Sequence, residues 1–280
     1  MVRLAENRYG KTLVRLARVI RHPDRHEFSE WSVQILLQGE FESCFVEGDN
    51  SKILPTDTMK NTVYSLARNS TADCIERFAK ELIEFFLARN PQVSFAEVSV
   101  EQKAWEPLHV SGKPHPAAFV QASAETQTTQ VSRAQNGGLC VVSGLDHLVI
   151  LKTGDSAFEG YIRDSLTTLP ETSDRLLGTS VRAVWTYEAS ELDFNATRRS
   201  IREMLLAAFA NHRSKSVQHT LYAMAATVLE KCASVQDIHL VMPNKHFLLA
   251  DLSRFGQDNP NQIFVPTDEP HGFIEARVCR

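Results

Sequence analysis

The order of extended and helical stretches runs through this chain twice, and that repeat constrains the fold more than any other feature of the sequence. Residues 10 to 48 read as extended: "GKTLVRLARVIRH" and "HEFSEWSVQILLQG" are rich in β-formers and flank the turn-like "HPDRH". A helix begins near Asp57, and a second spans roughly Asp73 to Arg89, with Ile75, Phe78, Ala79, Leu82, Ile83 and Phe86 on one face. After Asn90-Pro91, "VSFAEVSVEQKAW" returns to strand alternation. The second half repeats the plan. "GLCVVSGLDHLVILKTG" predicts a hairpin about Gly144 to Asp146, and "TSVRAVWTYE" predicts a strand. Two helical stretches follow, "ATRRSIREMLLAAFANH" and "SVQHTLYAMAATVLEKCA", and "IHLVMPNKHFLLADLS" is again strand-like. The segments "KNTVYSLA" (60–67) and "QHTLYAMA" (218–225) both open a helix with x-x-Thr-aliphatic-Tyr. The pattern predicts a tandem duplication of class α+β, with antiparallel sheets and helices on one face. The expected halves are 1–134 and 135–280, with "SAETQTTQVSRAQNGG" (123–138) as their connection.

A chain of 280 residues suits one large domain or two ordinary ones, and 43% hydrophobic with 23% charged residues predicts a buried core. The net charge of −4 supplies no basic excess to neutralise phosphates, which argues against nonspecific nucleic-acid binding. The five cysteines (44, 74, 140, 232 and 279) are odd in number and form no Cys-x-x-Cys pair. Free thiols in a reducing compartment are expected. The first residues carry charges throughout and do not read as a signal peptide. No apolar run approaches the ~20 residues of a transmembrane helix, and the final Val-Cys-Arg is not a peroxisomal address. The expected location is the cytoplasm, with no membrane partner.

Familiar catalytic signatures are absent from the sequence. None of the ten histidines forms a His-x-x-x-His on a predicted helix. His22 and His26 have i,i+4 spacing, but Pro23 between them argues against a continuous helix, and His109 and His115 fall in a Gly/Pro-rich stretch read as a loop. There is no dinucleotide fingerprint, no Walker loop and no Gly-x-Ser-x-Gly elbow. Chemistry without a metal, flavin or dinucleotide is expected.

Several local signals remain. "LPTDTMKNTVYSLARNS" sets Pro-Thr-Asp-Thr ahead of a helix, where Thr56, Asp57 or Thr58 could cap the first turn. A helix start also suits an anion. "RYGKT" puts Lys11 at a strand start, and "KSVQHT" opens a helix with Ser216 as its expected N-cap. "MPNKHF" sets Asn244 and His246 beside a strand. The long connection "SAFEGYIRDSLTTLPETSDRLLGTSV" carries Phe158, Arg163 and Arg175, and its length hints at function. Singly, each is accounted for by a cap, a strand edge, a loop or a turn.

Together, "YGK", "GDNSKILPTDTMKNTVYSLA", "SAFEGYIRDSLTTLPETSDR", "SVQHTLY", "MPNKH" and "DEPHGFIEA" resemble the urate oxidase (uricase) family over nearly the whole chain. One departure is Leu166, where an aromatic is common in the family; an effect on local packing is expected. The resemblance implies two tandem T-fold (tunnelling fold) units per chain and a barrel-forming homotetramer with sites between subunits. It implies cofactor-independent oxidation of urate by O₂. The family's catalytic Lys, Thr and His fall on Lys11, Thr56 and His246. Its substrate contacts fall on Thr56, Asp57, Phe158, Arg175, Val217, Gln218 and Asn244. Two other readings stay open at this point: another T-fold enzyme acting on a purine or pterin, and an inactive purine-binding protein.

Overall fold

A computed structural model describes residues 2–280, apart from the side chain of Asp268. The chain divides into two compact units, Met1–Leu145 with Thr186–Asn195, and Asp146–Trp185 with Ala196–Arg280.

The first unit opens with strands β1 (Tyr9–Arg21) and β2 (His26–Gly39), then helices α1 (Glu42–Val46), α2 (Thr56–Asn69) and α3 (Ile75–Arg89). Strands β3 (Val93–Val110) and β4 (Lys113–Ala134) follow, and β5 (Cys140–Lys152) begins here. The first four strands pair antiparallel in chain order. Period-two alternation puts Trp31, Val33, Ile35 and Leu37 of β2 and Ala96, Val98 and Val100 of β3 in the core. Helix α3 contributes Phe78, Leu82, Ile83 and Phe86 at helical spacing, and α2 contributes Met59 and Val63. Each such large side chain, fully buried, stabilises the fold by about 1.5–3 kcal/mol. Trp31 and Phe78 meet across the interface of sheet and helix, ring centroids 4.9 Å apart. The segment 186–195 joins this unit through Lys80 of α3, whose ammonium bonds Glu191 Oε1 at 2.6 Å and the Ser190 carbonyl.

The second unit holds the rest of β5, most of β6 (Leu177–Tyr187) and of α4 (Phe194–Asn211), and all of α5 (Val217–Lys231) and β7 (Val235–Val241). Strands β8 (Asn244–Leu249), β9 (Phe264–Gly272) and β10 (Glu275–Cys279) complete it. Strand β10 pairs antiparallel with β7, and β8 pairs with β9. The core joins Val181 and Ala183 of β6 and Ile238 and Leu240 of β7 to Leu221, Met224 and Val228 of α5. The α+β class with antiparallel strand pairing agrees with the sequence reading.

Five local expectations are corrected. Residues 10 to 48 are not all extended: Phe41 is fully buried against Tyr9, and the chain leaves β2 into α1. No hairpin forms about Gly144, because Gly144 and Leu145 are buried inside continuous β5. The segment 123–138 is mostly strand β4, whose Thr and Gln residues continue the ladder to β3. His109 and His115 lie near the tip of the β3–β4 hairpin rather than in a loop. Ser111 and Gly112, both at positive φ, make its two-residue turn. Helix α2 lacks a side-chain cap: its N-cap is Pro55, and Asp57 bonds Lys60 and Asn61 instead. Ser216 does cap α5, its hydroxyl accepting the His219 N–H at 3.1 Å.

Candidate active site

Lys11, Thr56 and Asp57 belong to the first unit. Gly10 lies so close to β2 that a Cβ would sit 1.8 Å from the Ile35 carbonyl oxygen, so only glycine permits this approach. Lys11 pairs with Ile35, and the register then shifts before Val14, with Leu13 at φ 54°. Such a bulge breaks the regular alternation beside Lys11. Tyr9 fixes the other partner of this cluster. Its hydroxyl accepts the Leu54 N–H at 2.9 Å and donates to the Leu54 carbonyl at 3.2 Å, which anchors the chain two residues ahead of Thr56. Burial pushes the Tyr9 phenol up from its ordinary value. With Pro55 as N-cap, the amides of Thr56, Asp57 and Thr58 open α2 without a capping side chain. The hydrogen bond and charge of Lys60 hold the Asp57 carboxyl below its usual range, and Asn61 and Lys11 add to the effect. Among the described residues no hydrogen bond joins Lys11 to Thr56 directly.

Phe158, Arg175, Val217, Gln218, Asn244 and His246 belong to the second unit. The irregular stretch between β5 and β6 is organised by a few polar ties. Phe158 and Thr172 exchange backbone hydrogen bonds at 2.8 and 3.2 Å, which brings Arg175 back beside Phe158. The Arg175 guanidinium carbon lies 5.2 Å from the Phe158 ring centroid. Tyr161 stacks on the same ring, centroids 4.8 Å apart at 15°. Arg175 Nε is buried without a hydrogen-bond partner among the described residues, and desolvation pushes the guanidinium down from its ordinary value. A buried charged donor without a partner is costly to the free chain.

The start of α5 is tied to this stretch. The Ser214 N–H reaches the Asp155 carbonyl and the Ala157 N–H reaches the Ser214 carbonyl, both at 2.8 Å. Val217 and Gln218, first in the helix after Ser216, thus stand on a segment bonded to the one that bears Phe158. Asn244 opens β8 opposite Gly272, and His246 pairs with Thr267. Gly178 of β6 receives β8 at Lys245, and a Cβ on Gly178 would press within 2.7 Å of the Phe247 ring.

A planar cation, an aromatic face and a helix start together suit a flat anion with alternating donors and acceptors at its edge. Among the described residues no group of three or more His, Cys, Asp or Glu is arranged to hold a metal ion. Among the described residues no helix is long and apolar enough to cross a membrane, and all five cysteines are free. Leu166 is exposed, with its N–H bonded to Asp164 Oδ1 at 2.8 Å. Tyr9, Tyr161 and Asp174, which takes the Ser156 N–H at 3.3 Å, were not singled out from sequence. Their presence inside the quoted motifs was the available signal.

The model of one family, described as uricase, matches residues 7–132 and 141–275. A uricase of Arthrobacter globiformis is 39% identical over 277 residues, covering 99% of this chain and 90% of the relative. A uricase of Dictyostelium discoideum is 37% identical, covering 100% and 98%. The crystal structure of the Arthrobacter globiformis uricase superposes with a TM-score of 0.94 at 38% identity, over 100% of this chain and 96% of that one.

Proposed function

The chain belongs to the uricase family, and from that membership we propose that it oxidises urate with O₂ and water to 5-hydroxyisourate and hydrogen peroxide. The observation that carries the reading is Arg175, with its buried and unpartnered Nε set against the Phe158 ring. Urate is flat and anionic near neutral pH. Arg175 meets its oxygen and nitrogen edge with parallel hydrogen bonds, and Phe158 stacks on its face. The Gln218 amide pairs an adjacent N–H and carbonyl, while the Val217 and Asp57 amides at the helix starts favour the negative charge.

The reaction moves two electrons and two protons from urate and water to O₂. Electron-rich, deprotonated urate gives the electrons itself, O₂ leaves as hydrogen peroxide, and the hydroxyl of water adds to the oxidised ring. No cofactor is needed for that balance. The work left to the protein is proton movement and the placing of O₂ and water in turn above the ring. Lys11, Thr56 and His246 form the proton relay, and Asn244 holds O₂ or the attacking water.

The two T-fold units, 1–134 and 135–280, assemble as a cytoplasmic homotetramer. Among the described residues strand β1 pairs with β2 alone and β10 with β7 alone, so each unit ends on an open edge that a neighbouring chain would cover. In that assembly Lys11, Thr56 and Asp57 of one chain face Phe158, Arg175, Val217, Gln218 and Asn244 of the next. Mixing the purified protein with urate tests the reading. Loss of the urate ultraviolet absorbance with equimolar peroxide supports it, and analogue binding without turnover would leave only a purine-binding protein.

A further inference from the structure

Two imidazoles that the proposed chemistry does not use meet where α4 passes into α5, His212 just after α4 and His219 in the first turn of α5. His212 Nε2 lies 3.1 Å from His219 Nδ1, with the ring centroids 4.3 Å apart. The Lys215 backbone N–H also reaches His219 Nδ1, at 3.3 Å. Both contacts need a lone pair on Nδ1, so His219 carries its proton on Nε2 and His212 donates from Nε2. The acceptor therefore closes a loop over Ser216, Val217 and Gln218. The same loop is fixed at its base, where Ser216 Oγ accepts the His219 N–H and Ser214 Oγ donates to the Ser216 carbonyl at 3.0 Å. From β5, Lys152 donates to the His212 carbonyl at 2.7 Å.

One proton taken up by the pair leaves a donor and an acceptor between His212 Nε2 and His219 Nδ1, whichever ring carries the charge. A second proton leaves hydrogen on both His212 Nε2 and His219 Nδ1. It removes the acceptor from both His212 and the Lys215 amide, and it sets two like charges side by side. The charged groups around them make this worse: Lys152 approaches from β5, and Arg213 and Lys215 flank the pair in the turn. Among the described residues no carboxylate pairs with either ring.

We propose that His212 and His219 form a proton-sensitive clasp on the α5 N-terminus, holding Val217 and Gln218 in position until both imidazoles are charged and then weakening urate binding. The proposal rests on the reading that this helix start contacts urate. Burial, followed by the charges of His219 and Lys152, pushes His212 down from its ordinary value. The folded chain thus binds this proton less readily than the unfolded chain. The stability contributed by the neutral pair is present above the ordinary histidine value and is lost as pH falls below it. The bridge is lost with the second proton, the step at which neither ring offers a lone pair to the other.

The test is the double variant His212→Gln, His219→Asn. Gln Nε2 and Asn Oδ1 replace the donor and the acceptor, and neither titrates between pH 5 and 8. Binding of xanthine, as a non-oxidised analogue, is measured by calorimetry from pH 8 to pH 5 on the assembled protein, beside the thermal midpoint without ligand. Wild type should lose affinity on acidification by up to roughly tenfold per pH unit beyond the second step. The double variant should bind within about threefold of wild type at pH 8 and lose less on acidification. Comparing the two proteins cancels protonation of the ligand itself. Equal acid losses would overturn the clasp, and so would a double variant that folds normally yet binds weakly at every pH. A wild type that neither binds the analogue nor oxidises urate at any pH would instead sink the functional reading, a separate outcome.

Discussion

Replacing Arg175 by methionine should make the free protein more stable while removing its response to a urate analogue. The wild-type guanidinium buries Nε without a partner, and an unsatisfied buried donor costs about 1–3 kcal/mol. The side chain is only half-buried, so the lower part of that range applies. Loss of the contact with Phe158, at 5.2 Å from the ring centroid, forfeits about 0.5–1 kcal/mol of cation–π attraction. A methionine sulfur against the same ring restores a comparable amount. The balance is a gain of about 1 kcal/mol, or about 2–4 °C in the unfolding midpoint of a chain this size. Ligand reverses the order. An analogue at one hundred times its dissociation constant stabilises wild type by about 2.7 kcal/mol, whereas the variant should show no shift at the same concentration. Differential scanning at one scan rate, with and without analogue, reads both effects. A variant that unfolds below wild type without ligand would mean that Arg175 Nε is paired in the assembled protein. An equal ligand shift in both proteins would remove Arg175 from the binding site.

Lys11→Met should lower kcat by two orders of magnitude or more, roughly the 10²–10⁴-fold that a positioned proton carrier contributes, with analogue binding measured by calorimetry nearly unchanged. Thr56→Ala and Arg175→Ala chains, each nearly inactive alone, should recover about one quarter of wild-type activity when co-expressed, because random pairing leaves that share of two-fold-related sites intact. Proven mixed dimers without recovered activity would place the site within one chain. Dialysis against a strong chelator should leave urate oxidation unchanged, and activity restored by added copper or iron would refute the cofactor-free mechanism.

Elements with an apolar buried face were legible from sequence, and those without one were not. Helix α3 was read within two residues of its start because Ile75, Phe78, Leu82, Ile83 and Phe86 keep the helical period. The part of strand β4 read as a connection was missed because two of the positions it buries are polar, Glu125 and Thr129, which leaves Val131 as the one apolar mark of its buried face. Its ladder partner β3 decides its conformation, and that information lies outside any local window. Helix α1 has five residues and no buried one, too short for a period to register. In the candidate site, motif resemblance named residues but could not supply the contacts that position them. Tyr9 reaches Leu54 across 45 residues, and Phe158 meets Thr172 through backbone groups that carry no sequence signature.

The two helix starts assigned to the site show why a capping signal and a binding signal are hard to separate in a sequence. Both present first-turn amides that the helix cannot satisfy internally. At α5, Ser216 takes the third of these amides, that of His219, and leaves those of Val217 and Gln218 outside the cap bond. At α2, Pro55 contributes no side-chain acceptor, and the nearest carboxylate, Asp57, is drawn away to Lys60 and Asn61. An N-cap aspartate in place of Pro55 would stabilise the helix by about 1 kcal/mol, yet in the proposed function it would put a fixed negative charge where the anion is to bind. The Lys60 and Asn61 contacts hold Asp57 in its turn without closing the helix end. The stability forgone at that end is recovered by ordinary packing one turn further on, where Met59, Thr62 and Val63 are buried. A helix start kept open in this way needs its support from the side that faces the core, and the Tyr9 bridge to Leu54 provides it without occupying the amides themselves.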